Sequence, residues 1–514
     1  MSGSGIILDR YGNPLPSSDM AAFTGEYEGA SYGVRLGTWG LSGAGPTASV
    51  APSLSALRSR GRESVRNNPS ARGGVNSFVS NLVGTDISPR WILDNKEQKE
   101  ELQELWAWSS QELDYYGTSD FYGQEELACR AMIVDGECLG RLHTAPPDLG
   151  LAVPFQVQLL EADHLDPNYN DIAPNGNEIR FGIEWQNGRR AAYWLDSEHP
   201  GENFFLTSGG SRKIRVEARD MVHIFRPERP GQARAGSWLA SVLLKLREID
   251  LYDDAELVRK KAAALWGGFI YSDAPITAPK LGATAQGVAS GGQQVIELKA
   301  GTFPVLKNGQ KISFNNTSDV GSGYATYIKT QFRIVARGLG ITYEQLTGDL
   351  EGVSYSSIRA GLIEFRRLCE TIQARTVIFQ LCRPVIRRWV ETAVLAGALK
   401  TIPVREYLAN PRRFLKVSWH PDGWEYVNPV DEVMSDVMEV RAGLTSRSAK
   451  IAKRGGDAER VDRESRADSE RAREYGLVYD SNAAQTAKSG AVQTAEEGVA
   501  GRVGKDEGGG GGKE

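Results

Sequence analysis

Two histidines and an aspartate have the residue types and spacing that could hold a metal ion. His164 and Asp166 stand two positions apart in the segment DHLDPNYND, and His223 follows in a later strand-like segment. Two histidines and one carboxylate are the protein ligands of non-haem iron oxygenases, so this set would make the chain an iron-dependent enzyme. The alternative is a strand that ends in a polar turn, with His223 packed in the sheet. We favour this alternative because H-x-D patterns often arise by chance.

Motifs for other kinds of chemistry are incomplete or missing. Gly321-Ser322-Gly323 has neither the preceding strand nor the lysine of a phosphate-binding loop, and no G-x-S-x-G or H-E-x-x-H pattern occurs. The carboxylates of the DHLDPNYND turn lack EF-hand spacing, so solvated side chains are favoured over a weak calcium site. We therefore expect no catalytic residue, no cofactor and no bound metal.

Phosphate binding by arginines is a second candidate chemistry. Seven arginines follow one another between residues 359 and 388: Arg359, Arg366, Arg367, Arg375, Arg383, Arg387 and Arg388. They could contact phosphates. Glu364 and Glu370 stand three or four positions from several of them, however, and that spacing forms ion pairs on a helix. We favour ion pairing, within the chain or with a neighbouring subunit.

The composition is that of an ordinary globular protein, and it excludes several classes. A length of 514 residues predicts ~3 domains. The net charge of −5 does not describe a basic nucleic-acid clamp. The longest apolar runs are too short to span a bilayer, and the N-terminus lacks the pattern of a secretory signal. The four cysteines have no C-x-x-C spacing, which favours buried, reduced thiols over zinc ligands or disulfides.

The elements that position these residues change in type along the chain. Helical periodicity dominates up to about residue 134, and period-two alternation then predicts an antiparallel β unit over 150–228, with Asn187-Gly188 as a hairpin turn. Later segments alternate long helices with short strands, and Asn308-Gly309 predicts a second hairpin. The later helices are predicted at 237–266, 324–338, 355 to about Pro384, and 431–474.

Several segments, in this order and spacing, resemble the lambda-type portal proteins of tailed bacteriophages. Each motif is weak alone, but the series is specific because it extends over roughly residues 52–430. Residues 1–50 and the tail after about 480 carry no such resemblance. The segments are RNNP (66–69), the tryptophan-rich helix (105–108), LEADHL (160–165), GIEWQNGRRAAYWL (182–195) with Pro200-Gly201, RPGQ (229–232) with GSWLA (236–240), and DAELVRKKAAA (254–264).

The resemblance implies an α+β portal fold with a β-rich wing, a helical stem, a small α/β clip, a long channel helix and a helical crown. We expect the following division of the chain: a flexible arm at 1–50, the wing at 51–235 and completed by about 385–430, stem helices at 236–345 enclosing the clip at about 267–319, the tunnel loop and long helix at 346–384, crown helices at 431–479, and a disordered tail at 480–514.

Two candidate sites follow from this division. The first is the wing–stem corner, where proline and glycine permit a sharp turn, Trp238 would anchor the stem helix in the wing, and the charges could pair across subunits. Its residues are Arg229, Arg234, Gly236, Ser237 and Trp238. The second is the tunnel loop, assigned by its position between two helices, whose two carboxylates would repel DNA phosphates. Its residues are Thr347, Gly348, Asp349, Leu350, Glu351, Gly352, Val353 and Ser354.

The resemblance also implies a function and a set of partners. A ring of twelve subunits would sit at one capsid vertex, and the double-stranded DNA genome would pass through it during packaging and ejection. The other partners would be the terminase large subunit, the major capsid protein and head–tail connector proteins, with no membrane. The protein would be assembled in the host bacterial cytoplasm and end in the virion. It would not be an enzyme, because the ATP-driven motor is a separate partner.

Overall fold

Helices account for most of the structure, and short antiparallel strands for much of the rest. The structure is a computed structural model that describes residues 42–202, 212–265, 269–272, 310–313, 323–424 and 428–477. The helices are α1 (Leu54–Asn67), α2 (Pro69–Val83), α3 (Lys96–Ser109), α4 (Phe121–Val134), α5 (Leu243–Leu265), α6 (Gly323–Leu339), α7 (Tyr343–Thr347), α8 (Tyr355–Ile372), α9 (Arg383–Leu395), α10 (Val404–Ala409), α11 (Pro429–Arg441), α12 (Arg447–Lys453) and α13 (Ala458–Glu474). The strands are β1 (Ile87–Trp91), β2 (Glu137–Thr144), β3 (Phe155–Glu161), β4 (Asp171–Ile172), β5 (Glu178–Arg180), β6 (Ile183–Gln186), β7 (Arg189–Asp196), β8 (Lys213–Glu217), β9 (Met221–Phe225), β10 (Phe269–Ser272), β11 (Gln310–Ser313) and β12 (Val417–Pro421).

The predicted α+β class and antiparallel β unit are confirmed. One sheet has the order β3-β2-β9, and a second has the order β4-β5-β6-β7-β8, with antiparallel pairing throughout. The tight turn between β6 and β7 is the predicted one. Asn187 and Gly188 both have positive φ, 49° and 75°, as a turn that matches the twist of a hairpin requires.

The RNNP segment separates two helices for a local reason. Asn68 has an extended conformation after α1, and its side chain accepts a hydrogen bond from the backbone N–H of Ala71. Pro69 takes the first position of α2, where its missing N–H is not needed. The break between α1 and α2 is therefore formed by an N-cap.

A buried cluster of three tryptophans connects the two halves of the chain. Trp389 on α9 lies with its ring centroid 5.1 Å from Trp106 on α3 and 5.8 Å from Trp91 on β1. The Trp389 indole donates to Ser109 Oγ at 2.8 Å. Since β1 also pairs with β12, residues 383–421 pack against elements that precede residue 110.

The long helix does not end at Pro384, which corrects the predicted boundary. A π-helical segment, Gln373–Cys382, joins α8 to α9, and helical structure continues to Leu395. The N–H of Arg383 bonds to the carbonyl of Ile378, five residues back. Proline lacks an N–H and clashes with the carbonyl four residues before it, so a wider turn ahead of Pro384 lets the helix pass through this residue.

Several predictions fall wholly or partly outside the described residues. These include most of the clip, of which only β10 and β11 are described, and they pair antiparallel. The Asn308-Gly309 turn, residues 1–41 and residues 478–514 also lie outside. Within residues 42–50 of the predicted arm, Thr47 is buried, and its hydroxyl accepts from the Ala233 N–H. Across the described helices, no segment has both the length and the apolar character to cross a membrane.

Candidate functional site

The corner is built around one buried carboxylate, Glu137, at the start of β2. Arg58 of α1 donates to Glu137 Oε1 at 2.5 Å, and Arg234 lies 2.6 Å from the same oxygen. His223 of β9 contacts Oε2 through Nε2 at 2.9 Å. All four side chains are at most 1% exposed. We call these four residues the Glu137 cluster; it ties the first helix, the three-stranded sheet and the corner to one point.

The charges of this cluster keep Glu137 ionised. Burial alone would raise its pKa, but the Arg234 guanidinium and the His223 hydrogen bond hold the pKa well below its usual range. Burial lowers the pKa of His223 to about 4, so its imidazole is neutral near pH 7. The hydrogen bond then requires that His223 Nε2–H donates to the carboxylate. The cluster is a structural joint whose charges are already paired.

Arg234 also fixes the backbone around the corner. Its guanidinium donates to the carbonyl oxygens of Phe181 at 2.9 Å and Leu165 at 2.8 Å. The charges of the corner could have paired across subunits, but Arg234 is fully buried and pairs inside its own chain. Arg229, in contrast, is exposed and donates to the carbonyl of Ala44.

The glycines at the corner permit close backbone contact. Gly136 has φ +96°, and a Cβ there would lie 2.2 Å from the carbonyl carbon of Gly236. Ser237 caps the following turn by accepting from the Leu239 N–H at 3.2 Å. Only residues without side chains let the chain before β2 pass this close to the corner.

Trp238 is half-buried, although the sequence analysis treated it as the buried anchor. Its ring packs edge-on against Phe78 of α2, with centroids 5.5 Å apart, and Arg226 lies over the ring at 5.6 Å. It begins a 3-10 turn, Trp238–Ser241, that precedes α5. Arg234, which is fully buried, lies deeper in the corner than Trp238.

The predicted loop Thr347–Ser354 lies between α7 and α8. A capping box starts α7, in which Thr342 and Gln345 satisfy each other's backbone N–H groups, and Gly348 ends it with φ +72°. Ser354 caps α8 by accepting from the Ser357 N–H. Gly352 also has φ +72°, and Leu350 is 65% exposed at the tip. The loop therefore projects an apolar side chain between two well-capped helices.

The two loop carboxylates are held by a lysine of α6. Lys329 Nζ lies 3.2 Å from both Asp349 Oδ2 and Glu351 Oε2, and Tyr343 donates to Asp349 at 2.9 Å. The backbone hydrogen bond from Glu351 to Asp349, with Tyr343 and Lys329, lowers the pKa of Asp349. These carboxylates were predicted to repel DNA phosphates, and Lys329 offsets part of their negative charge.

The proposed iron ligands do not come together. His223 belongs to the Glu137 cluster, His164 Nδ1 contacts the carbonyl of Asp196 at 2.9 Å, and Asp166 accepts from the Asn168 backbone. Among the described residues, the grouping with metal-ligand distances is Glu161, Asp163 and His199. Arg62 already lies 3.0 Å from Glu161 and 2.6 Å from Asp163, so a guanidinium occupies that position. The iron-enzyme hypothesis is wrong in its geometry.

The Glu137 cluster and Lys329 were missed by the sequence analysis. Glu137 stands in the short apolar strand ECLG, where a single charge signals either an exposed edge or a buried partner. Its partners lie 79, 86 and 97 positions away. No local pattern connects residues so distant, so only the fold reveals the cluster.

Comparison with known proteins identifies the family. The sequence model described as phage portal protein, lambda family, matches residues 32–373. A probable portal protein of Halomonas phage phiHAP-1 is 30% identical over 386 residues, which cover 73% of this chain and 72% of that protein. The portal protein of Escherichia phage N15 and portal protein B of Escherichia phage lambda are each 22% identical, cover 91% of this chain, and are themselves covered to 94% and 93%. The chain therefore belongs to the lambda family of phage portal proteins, a family of structural components of phage particles.

Two solved structures were also found to be similar. The neck of a native GTA particle, computed with C12 symmetry, gives a TM-score of 0.43 at 16% identity, covering 79% of this chain and 93% of that one. The virion of a native gene transfer agent particle gives a TM-score of 0.41 at 17% identity, with the same coverage of both chains.

Proposed function

We propose that twelve copies of this chain form a ring at one vertex of a phage capsid, and that the genome passes through its central channel. The observation that carries this proposal is membership of the lambda portal family, established by a match over residues 32–373. The ring would take in double-stranded DNA during packaging and release it during ejection. It would contact the major capsid protein, the terminase large subunit and head–tail connector proteins, and it would be assembled in the bacterial cytoplasm before joining the virion.

The elements can be assigned to parts of such a ring. The two sheets with α1 to α4 would form the wing, completed by residues 385–421; α5 and α6 would be the stem pair; and β10 and β11 would belong to the clip. Helices α11 to α13 would form the crown, and the loop 347–354 would line the channel. The packing of Trp389 between Trp91 and Trp106 supports the assignment of residues after α8 to the wing. The Glu137 cluster would hold the wing to the stem.

The loop proposal rests on shape and charge together. The exposed Leu350 lies at the tip of the loop, between Gly348 and Gly352. Lys329 holds the two loop carboxylates close to α6. Such a loop can touch DNA by steric contact without gripping phosphates, because each neutralised phosphate would add salt-sensitive affinity. A channel through which DNA slides needs weak, transient contacts of this kind.

Ring formation is tested with the purified full-length chain. We expect sedimentation as one large closed oligomer, and negative-stain images that show rings with a central hole. A protein that stays monomeric at micromolar concentration across a salt series would contradict the proposal. Incorporation of the rings into proheads, measured separately, tests the contact with the capsid protein.

A further inference from the structure

One face of the long helix carries a straight line of exposed side chains, four of which are arginines. The line takes every fourth residue from α8 through the π-helical segment into α9, and all six of its members are exposed. From residue 367 to residue 387 it extends over roughly 30 Å. We call it the arginine line; its members are Arg367, Thr371, Arg375, Phe379, Arg383 and Arg387.

The π-helical segment keeps this line on one side of the helix. A four-residue step in an α-helix turns about 40° beyond a full circle, so five such steps would carry the line about 200° around the axis. The wider turns of Gln373–Cys382 make the same step fall short of a full circle, which reverses the drift in the middle of the line. The helix therefore presents all four arginines in the same direction.

The four arginines of the line have no carboxylate partner in the part of the chain that the structure describes. Two other arginines of the long helix do form ion pairs, as the sequence predicts. Arg359 lies 3.6 Å from Glu432, and Arg388 lies 2.9 Å from Glu391, the residue one step beyond the end of the line. The lack of partners is therefore a property of this face and not of the whole helix.

Two carboxylates of α8 stand beside the line, and each has a partner elsewhere. Glu364 lies 3.5 Å from Arg337 of α6, and Glu370 accepts from the indole N–H of Trp424 at 3.3 Å. The arginine line is thus a local concentration of positive charge in a chain whose net charge is −5.

The surfaces next to the line add to its positive charge. A cavity of about 550 Å³ lies beside Phe379, and its walls contain Arg190 and Arg229 against one carboxylate, Glu228. A second cavity, between α8 and the helices α11 and α12, has six basic and four acidic residues in its walls. Arg383 lies 5.9 Å from the centroid of the Phe379 ring, a contact that positions the guanidinium without removing its charge.

We propose that the arginine line binds the phosphate backbone of double-stranded DNA, at a surface separate from the loop 347–354. Guanidinium groups suit phosphates because they stay charged and present several N–H donors in one plane. The line begins about 20 Å along α8 from Ser354, so the two surfaces are distinct. This contact rests on the proposed function, in which duplex DNA is the polyanion that the protein meets. It adds a place that holds DNA to a loop that lets DNA slide.

DNA binding is measured with the purified full-length protein by fluorescence anisotropy over a salt series. The probe is a fluorescein-labelled duplex of about 20 base pairs, which at ~3.4 Å per base pair is longer than the line. Each phosphate contact contributes about −0.9 to the slope of log affinity against log salt concentration, so four contacts give about −3.6. We expect the affinity to fall ~150-fold between about 50 and 200 mM salt.

A variant with glutamine at the four arginine positions should lose most of this binding and most of its salt dependence. It carries Arg367→Gln, Arg375→Gln, Arg383→Gln and Arg387→Gln. Lysine at the same four positions keeps the charges and should keep the salt slope. The matched control has the same change in net charge and should bind DNA like the unmodified protein. It replaces with glutamine four exposed arginines on other elements that also lack a carboxylate partner in the described chain: Arg66, Arg72, Arg405 and Arg412.

Ring assembly and the unfolding midpoint are measured on the same preparations, and both should be unchanged because the replaced side chains are exposed. The inference fails if the glutamine variant binds DNA as the control does, or if the unmodified protein shows no salt-dependent binding of the duplex. A glutamine variant that no longer forms rings, while the control does, would show that the line meets an acidic surface of the neighbouring subunit, and would also overturn it. If the unmodified protein forms no rings but the glutamine variant alone loses DNA binding, the ring proposal fails and the DNA contact stands.

Discussion

A single carboxylate, Glu137, is shared by two buried arginines and a neutral histidine. Removing a buried charge from a paired set costs more than the pair contributes, because the remaining charges stay in a medium that cannot solvate them. The corner therefore depends on Glu137 more than on Trp238, whose ring is half-buried. This ranking differs from the expectation based on side-chain size alone.

Replacing Glu137 with Gln should destabilise the protein strongly. The amide puts N–H donors where the Arg58, Arg234 and His223 donors converge, and it leaves two guanidinium groups without a counter-charge. We expect a loss of about 3–5 kcal/mol in the free energy of unfolding, measured by denaturant titration. Glu178→Gln removes a carboxylate that is 71% exposed and serves as the control. Equal stability of the two variants would show that the Glu137 cluster is not the joint described here.

The neutral His223 should make stability depend on pH. Its folded-state pKa of about 4 lies below the ordinary value of 6.5, so between these values the unfolded chain binds more protons than the folded one. Its contribution to stability is thus fully present above pH 6.5 and is lost as pH falls towards 4. The slope from this one group is up to about 1.4 kcal/mol per pH unit.

His223→Gln removes that titration and retains a side-chain N–H for Glu137. We expect the variant to lose less stability than the unmodified protein between pH 6.5 and 4, as measured by unfolding titrations at several pH values. The folded Glu137 stays ionised across this window, since its pKa is held far below its usual range, and protonation of the unfolded Glu137 near its ordinary pKa of 4.5 contributes to both proteins. Identical slopes for the two proteins would mean that His223 does not remain neutral in the fold.

At the level of elements, sequence patterns correctly predicted the features that depend on interactions between residues close together in the chain. The Asn187-Gly188 hairpin and the helices up to residue 134 follow from residue types a few positions apart, and the structure confirms them. The continuation of the long helix past Pro384 could not be predicted in this way. It depends on the π-helical segment, where Gln373 donates to the Leu82 carbonyl and Gln380 accepts from the Phe225 N–H. Those partners are far away in sequence.

The same distinction applies to the candidate sites. The position of the loop Thr347–Ser354 between two helices was predictable, because Gly348 and Ser354 are ordinary end and start signals. The pairing of its carboxylates with Lys329 was not predictable, because this contact depends on how α6 packs beside the loop. The charged residues of a short motif therefore do not define the local electrostatic potential until the charged side chains packed beside them are known.

At the scale of the whole molecule, the charge of the loop would become a property of the channel in the proposed ring. Twelve copies would repeat each loop charge around the DNA, so a small change in one subunit is multiplied. With Lys329, Asp349 and Glu351 together, each loop carries a formal charge of −1. Exposed charges of this kind act on passing phosphates over about a Debye length, ~8 Å at physiological ionic strength.

A series of loop charges should tune the speed of DNA packaging. Lys329→Met gives −2 per loop, Asp349→Asn with Glu351→Gln gives +1, and Asp349→Lys with Glu351→Lys gives +3, set against −1 for the unmodified chain. We expect ring assembly and prohead incorporation to be unchanged throughout, because these side chains are exposed or partly exposed. Packaging rates should fall as the loop becomes more positive, since each added attraction to phosphate slows sliding, and the slowing should ease as salt screens that attraction. If the packaging rate at low salt does not depend on the loop charge, or if the variants already fail to assemble rings, the loop does not lie against the DNA.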